Sequence, residues 1–106
     1  MRSNSMNRLI ISSLMILFLG NSSNAAGLAG EGKSIAQKWC ASCHIVSDSQ
    51  SSASADVPSF KFIASKYQSE LEVLGAFLAD PHPVMPNLSL TRREIKDLLA
   101  YIESLN

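Results

Sequence analysis

Cys40-Ala41-Ser42-Cys43-His44 is the segment of this 106-residue chain whose residue types and spacing can do the most specific chemistry. Two thiols separated by two residues, with a histidine directly after the second, form the C-x-x-C-H arrangement that attaches a c-type haem. Each thiol can add to one vinyl group, and the histidine then lies beneath the macrocycle, where its imidazole can bind iron. Cys40 and Cys43 are thus candidate thioether anchors for one covalently attached haem c, and His44 is the candidate proximal iron ligand.

The same residues admit other chemistry. A dithiol redox pair also uses C-x-x-C, with a lowered thiol pKa. It requires a βαβ setting, whereas Glu31 to Trp39 reads as a short helix with no alternating strand pattern nearby. A zinc site built from Cys40, Cys43, His44 and His82 has enough ligands, but adjacent Cys43 and His44 would strain a tetrahedron. A plain disulfide is the weakest of the three.

Iron held by His44 keeps a sixth position, and few side chains can fill it. Beyond residue 26 Met85 is the only methionine and His82 the only other histidine. Both fall in Asp80-Pro81-His82-Pro83-Val84-Met85-Pro86, where three prolines stiffen the backbone and exclude a continuous helix. Met85 is the preferred distal ligand, because a soft neutral thioether favours ferrous iron and raises the reduction potential of an electron-transfer haem. Without the haem motif, Met85 would read as a gap-filling core residue and His82 as an exposed loop histidine.

The elements that must position these groups follow from the rest of the chain. Residues 1–26 read as a secretory signal, with Arg2 and Arg8 in a positive n-region, an apolar run from Leu9 to Leu19, and a small, polar stretch ending at Ala25 or Ala26. The run is shorter than the ~20 residues needed to span a bilayer. Cleavage and a periplasmic location are therefore expected, with an uncleaved N-terminal anchor facing the periplasm as the alternative. Removing it leaves seven basic residues against nine acidic, a net charge of about −2, too near neutral to suggest nucleic acid or an anionic membrane as partner. About 80 residues, 27–106, remain for a single domain with a thin core, for which an apolar haem would act as a central staple.

Within that domain the signals are helical. Gly30 to Trp39 leads straight into the haem motif, and the Ser/Ala-rich segment Ser47 to Ala55 reads as an exposed, mobile loop. Pro58 to Tyr67 carries Phe60, Phe62, Ile63 and Tyr67 at spacings that one helix can bury together. Ser69 and Glu72 suggest a capping box for a helix ending at Asp80, with Leu71, Leu74, Phe77 and Leu78 as its core stripe. Thr91 and Glu94 repeat that device ahead of Ile95, Leu98, Leu99, Ile102 and Leu105. The expected class is all-α, with three to four short helices wrapped around one haem.

With these features the chain resembles the class I monohaem cytochromes c, particularly small bacterial periplasmic ones, over roughly Gly27 to Leu105. Gly32-Lys33-Ser34-Ile35-Ala36-Gln37-Lys38-Trp39-Cys40 is similar to the first helix of that family, and Leu98-Leu99-Ala100-Tyr101-Ile102 to its last. The resemblance implies the cytochrome c fold, a close crossing of Gly32 against Tyr101, and a Pro58 carbonyl that accepts a hydrogen bond from the outer nitrogen of His44. It also places Met85-Pro86 where the family carries its methionine ligand. The chain departs at Val57, where a glycine commonly precedes the proline, and in its short middle region, so the groups around the haem propionates are not carried over. Tyr67 is a candidate there, or ordinary core.

The function implied is reversible one-electron transfer by a non-enzymatic carrier, which docks transiently through an exposed haem edge with a redox-protein donor and an acceptor. Lys33, Lys38, Lys61 and Lys66 are available to steer an acidic partner. Such a carrier is expected to be monomeric. A haem subunit or dedicated partner of a periplasmic dehydrogenase, reductase or terminal oxidase would carry the same residues, and a gas-binding or sensing haem with an open sixth site is a third class. An 80-residue shell around one haem has little room for a substrate pocket.

Overall fold

The computed structural model describes residues 27–81 and 83–106. The segment read as a signal peptide and His82 lie outside the described residues. Among the described residues there are four α-helices and no strand.

Helix α1 (Ala29–Ile35) runs on into a wider π-helical turn, Ala36–Cys40. In that turn the Ala41 N–H bonds to the Ala36 carbonyl at 3.0 Å. Turns of this kind concentrate at functional sites, and this one ends on Cys40. The sequence locates the helix but not its widening.

The last helix, α4 (Arg92–Glu103), is the packing partner of α1. Its start follows the expected capping box. Thr91 Oγ1 accepts from the Glu94 N–H at 3.2 Å, and Glu94 Oε2 accepts from the Thr91 N–H at 2.7 Å. Asp97, Leu98, Tyr101 and Ile102 form its buried face, and Leu98 and Ile102 are fully enclosed. Each such side chain contributes about 1.5–3 kcal/mol through removal from water.

Gly32 makes the approach of the two helices possible. A β-carbon there would lie 1.9 Å from the Asp97 carbonyl oxygen and 2.8 Å from Tyr101 Cβ, so the backbone of α1 rests directly on α4. The Gly32–Tyr101 contact implied by the family resemblance is present. Asp97 closes the N-terminal end of this crossing. Its Oδ1 accepts from the Leu28 N–H at 2.7 Å and from Arg93 Nε at 3.1 Å, which makes a buried carboxylate tolerable there.

Between these two helices in sequence come α2 (Phe60–Tyr67) and α3 (Leu71–Ala79), both of which pack on α4. Ser59 caps α2 by accepting from the Phe62 N–H at 3.1 Å. The expected Ser69 cap does not form. The Glu70 N–H instead closes a turn onto the Tyr67 carbonyl at 2.8 Å, so Ser69 is spent in the corner between α2 and α3. Helix α3 consequently begins at Leu71, behind a Glu70 with no side-chain cap.

The apolar stripes are divided rather than wholly buried. Phe60, Ala64, Leu74 and Leu78 join the core around Leu98, Tyr101 and Ile102. Phe62 stays 59% exposed and Phe77 41% exposed, and both line a cavity. The segment 47–55 is a loop without regular structure, as expected. Gln50 nevertheless turns inward and ties it down.

Candidate functional site

The widened end of α1 delivers Cys40 in a buried position, with Cys43 exposed and His44 half-buried in the turns that follow. The Cys43 and His44 N–H groups both bond back to the Cys40 carbonyl, at 3.1 and 2.9 Å, so the five motif residues form one compact turn. Burial pushes the Cys40 thiol up to about 11. That is the reverse of the lowered pKa a redox dithiol uses, and the strands such a fold needs are absent among the described residues. No three His, Cys, Asp or Glu side chains gather to hold a metal ion among the described residues. His82, the fourth member of the zinc alternative, lies outside them.

His44 is oriented from one side. Its Nδ1 lies 2.6 Å from the Pro58 carbonyl oxygen, and the ring packs at a tilt against Phe60, with centroids 5.5 Å apart. Nδ1 therefore carries the proton and donates, which leaves Nε2 as the free lone pair. The Pro58 carbonyl is itself placed by α2, whose first N–H, from Phe60, bonds the Ile45 carbonyl at 2.9 Å.

Cys40, Cys43, His44, Pro58 and Met85 all line one cavity of about 560 Å³. This falls within the ~300–1,000 Å³ of typical cofactor sites. Its remaining walls are mainly apolar and aromatic, drawn from α2, α3 and the segment 84–88. Met85 is half-buried and packs against the core cluster. The segment that carries it turns back at Ser89, a non-glycine residue with φ of 52°, supported by an Asn87 Oδ1 that accepts the Ser89 N–H at 2.9 Å. Residues that fit a haem are thus gathered here: two thiols, an oriented imidazole, a thioether and an apolar slot.

Trp39 is a wall that the haem motif by itself did not single out. Trp39 is 51% exposed yet lines the cavity, with Lys38 Nζ 5.0 Å from its ring centroid. An aromatic residue directly before the first cysteine was the available signal. Tyr67 also lines the cavity, edge-on to Phe77 at 6.3 Å and beneath Lys66 Nζ at 5.1 Å. Of the four candidate steering lysines, Lys66 is a wall of the cavity and Lys33, Lys38 and Lys61 are not.

A second anchor holds the back of the site. Tyr101 Oη donates to the Val46 carbonyl at 2.5 Å, joining α4 to the strand-less segment after His44. Burial, with a smaller effect from Asp48, pushes the Tyr101 hydroxyl pKa upward, which keeps it a donor.

The family model for cytochrome c matches residues 29–106. Cytochrome c-552 of Bradyrhizobium diazoefficiens is 47% identical over 93 residues, covering 86% of this chain and 89% of that protein. No solved structure gives a significant match.

Proposed function

Since this chain belongs to the cytochrome c family, and is therefore a haem electron-transfer protein with covalently attached haem c, we propose that it is a periplasmic one-electron carrier whose iron is held by His44 and Met85. Cys40 and Cys43 are the thioether anchors in this reading. The observation that carries it is the convergence of Cys40, Cys43, His44 and Met85 on one apolar cavity.

Bound there, haem c supplies reversible transfer of one electron between ferric and ferrous iron. The protein's own residues set the terms. His44 Nδ1 donates to Pro58, which fixes the ring and makes Nε2 a stronger donor to iron. Met85 offers a neutral sulfur from a proline-stiffened segment, favouring the reduced state. The apolar walls exclude water, so oxidation state changes with little rearrangement around the site.

Periplasmic location is supported by the signal-like residues 1–26 and by the bacterial cytochrome c-552 relative. A redox protein as donor and another as acceptor follow from the carrier role, meeting the haem at its exposed edge. Lys66, beside Tyr67 at the cavity, is the lysine best placed to meet an acidic partner.

The test is an optical spectrum of the protein matured with haem. The oxidised form should carry the weak near-infrared charge-transfer band of methionine-bound ferric haem, beside sharp c-type bands in the reduced form. A covalent haem that lacks this band and binds carbon monoxide quickly would reject Met85 as ligand and favour an open, gas-binding site.

A further inference from the structure

Gln50 sits in a Ser/Ala-rich loop whose composition gives it no reason to be other than solvated. Its side chain is instead the most heavily used amide in the described part of the fold. Oε1 accepts the Val46 N–H at 3.0 Å. Nε2 lies 2.8 Å from the Ala41 carbonyl, 2.8 Å from the His44 carbonyl and 3.0 Å from the Ser52 carbonyl. Two amide protons serve three acceptors, so one is shared. The orientation is unambiguous, because a flipped amide would set Oε1 against three carbonyls and leave the Val46 N–H facing another donor.

These carbonyls need a partner. Ala41 caps the π-helical turn, and His44 follows it in a stretch without helix or strand, so neither has a ladder to join. The neighbouring carbonyls are met from far along the chain: Cys43 by the Ser54 N–H at 3.1 Å, Ile45 by the Phe60 N–H, and Val46 by Tyr101. Gln50 fills the gap in this series.

We propose that Gln50 is a positioning residue for the proximal imidazole, locking the haem-attachment turn onto the loop that ends at Pro58. His44 is then held at two points, its main-chain carbonyl by Gln50 and its ring by Pro58. Without Gln50 the turn keeps only the Ser54–Cys43 and Phe60–Ile45 main-chain bonds to the loop and the start of α2, and the His44–Pro58 hydrogen bond opens more often. The role rests on the reading of His44 as the iron ligand.

The test uses the haem-loaded protein and follows exchange of the His44 Nδ1 proton in the reduced, diamagnetic state by NMR. Gln50→Leu removes every bond of the clamp. Gln50→Glu keeps an acceptor for Val46 but turns carboxylate oxygen onto the carbonyls. Both should speed the exchange at least about tenfold and shift the reduction potential, while Ser51→Ala on the same loop does neither. Exchange within about twofold of wild type in both Gln50 variants would overturn the role. If neither variant matures, the wild type decides. Gln50 Nε2 protons exchanging at least about tenfold more slowly than those of the exposed Gln37 and Gln68 support the clamp, and exchange at their rate overturns it. In the oxidised wild type, His44 ring protons displaced by the paramagnetic iron establish the ligand reading independently. Their absence would sink that reading and the positioning role together, whereas their presence beside unchanged Gln50 variants would sink the positioning role alone.

Discussion

His44 and Pro58, fourteen residues apart, are joined by a 2.6 Å contact between the ring nitrogen Nδ1 and a main-chain carbonyl. Because the acceptor is backbone, no substitution at position 58 deletes it. What proline adds is a locked φ that aims the carbonyl.

Pro58→Ala should therefore loosen the bond without abolishing it. A less basic imidazole stabilises ferric iron less, so the reduction potential should rise, by up to about 60 mV if the preference for ferric over ferrous iron falls tenfold. Protein-film voltammetry of wild type and variant measures it, and a potential that falls instead would mean that water entry outweighs the loss of basicity.

Met85→Ala should leave a covalent haem with an open iron. The near-infrared band should vanish, carbon monoxide should bind rapidly and the potential should drop. His82→Ala should change none of these. A His82 variant that lost the low-spin spectrum would reassign the sixth ligand.

The α1–α4 crossing should be sensitive to a single methyl group. In Gly32→Ala the added carbon would occupy the position 1.9 Å from the Asp97 carbonyl, where backbone rather than a flexible side chain must give way. The expected loss is about 3 kcal/mol or more by denaturant unfolding of the haem-loaded protein. Tyr101→Phe should cost about 1–3 kcal/mol by leaving the Val46 carbonyl without its buried donor.

The Thr91–Glu94 capping box predicts a pH effect of definite sign. Hydrogen bonds from the Thr91 backbone and then from its side chain hold the exposed Glu94 carboxyl below its ordinary value of 4.5. A carboxylate lowered in the folded state adds stability that is present above 4.5 and is lost as pH falls through the folded value. Thr91→Ala removes the side-chain bond and keeps the backbone one, so it should lower stability near neutrality and flatten part of the decline below about pH 4.5 relative to wild type. Unfolding curves between pH 3 and 7 compare the two, and parallel declines would show that the Thr91 side chain carries none of this dependence and that the backbone donor carries it all.

The mass of the purified protein tests the ends and the cofactor together. Cleavage after Ala25 or Ala26, plus one haem joined through two thioethers, is expected. An intact N-terminus in the membrane fraction would establish the anchored form.

Much of the site was legible because its chemistry is local. Cys40, Cys43 and His44 lie within five residues, so in the proposed reading their spacing alone would present two thiols and an imidazole to one macrocycle. Met85 stood out by scarcity, as one thioether in a proline-rich segment. Thr91 and Glu94 could be read as a cap because both partners of that box lie within one helical turn.

Ser69 and Glu72 carried the same local signal, and it failed. The corner between α2 and α3 is set by how those helices pack, and closing it consumed the residue that would have been the cap. Gln50 and Asp97 were invisible for a related reason. Each bonds groups distant in sequence or left over by the fold, namely the carbonyls of the haem-attachment turn and the Leu28 N–H 69 residues away. Composition and periodicity describe what a residue prefers beside its neighbours, and they located the helices, while the haem motif and the resemblance of two helices to a family pointed to the class of protein. Which buried polar groups remain to be satisfied is known only once the chain has closed on itself, and so the tertiary structure alone decided the clamp at Gln50, the carboxylate at Asp97, and the aromatic walls that line the cavity.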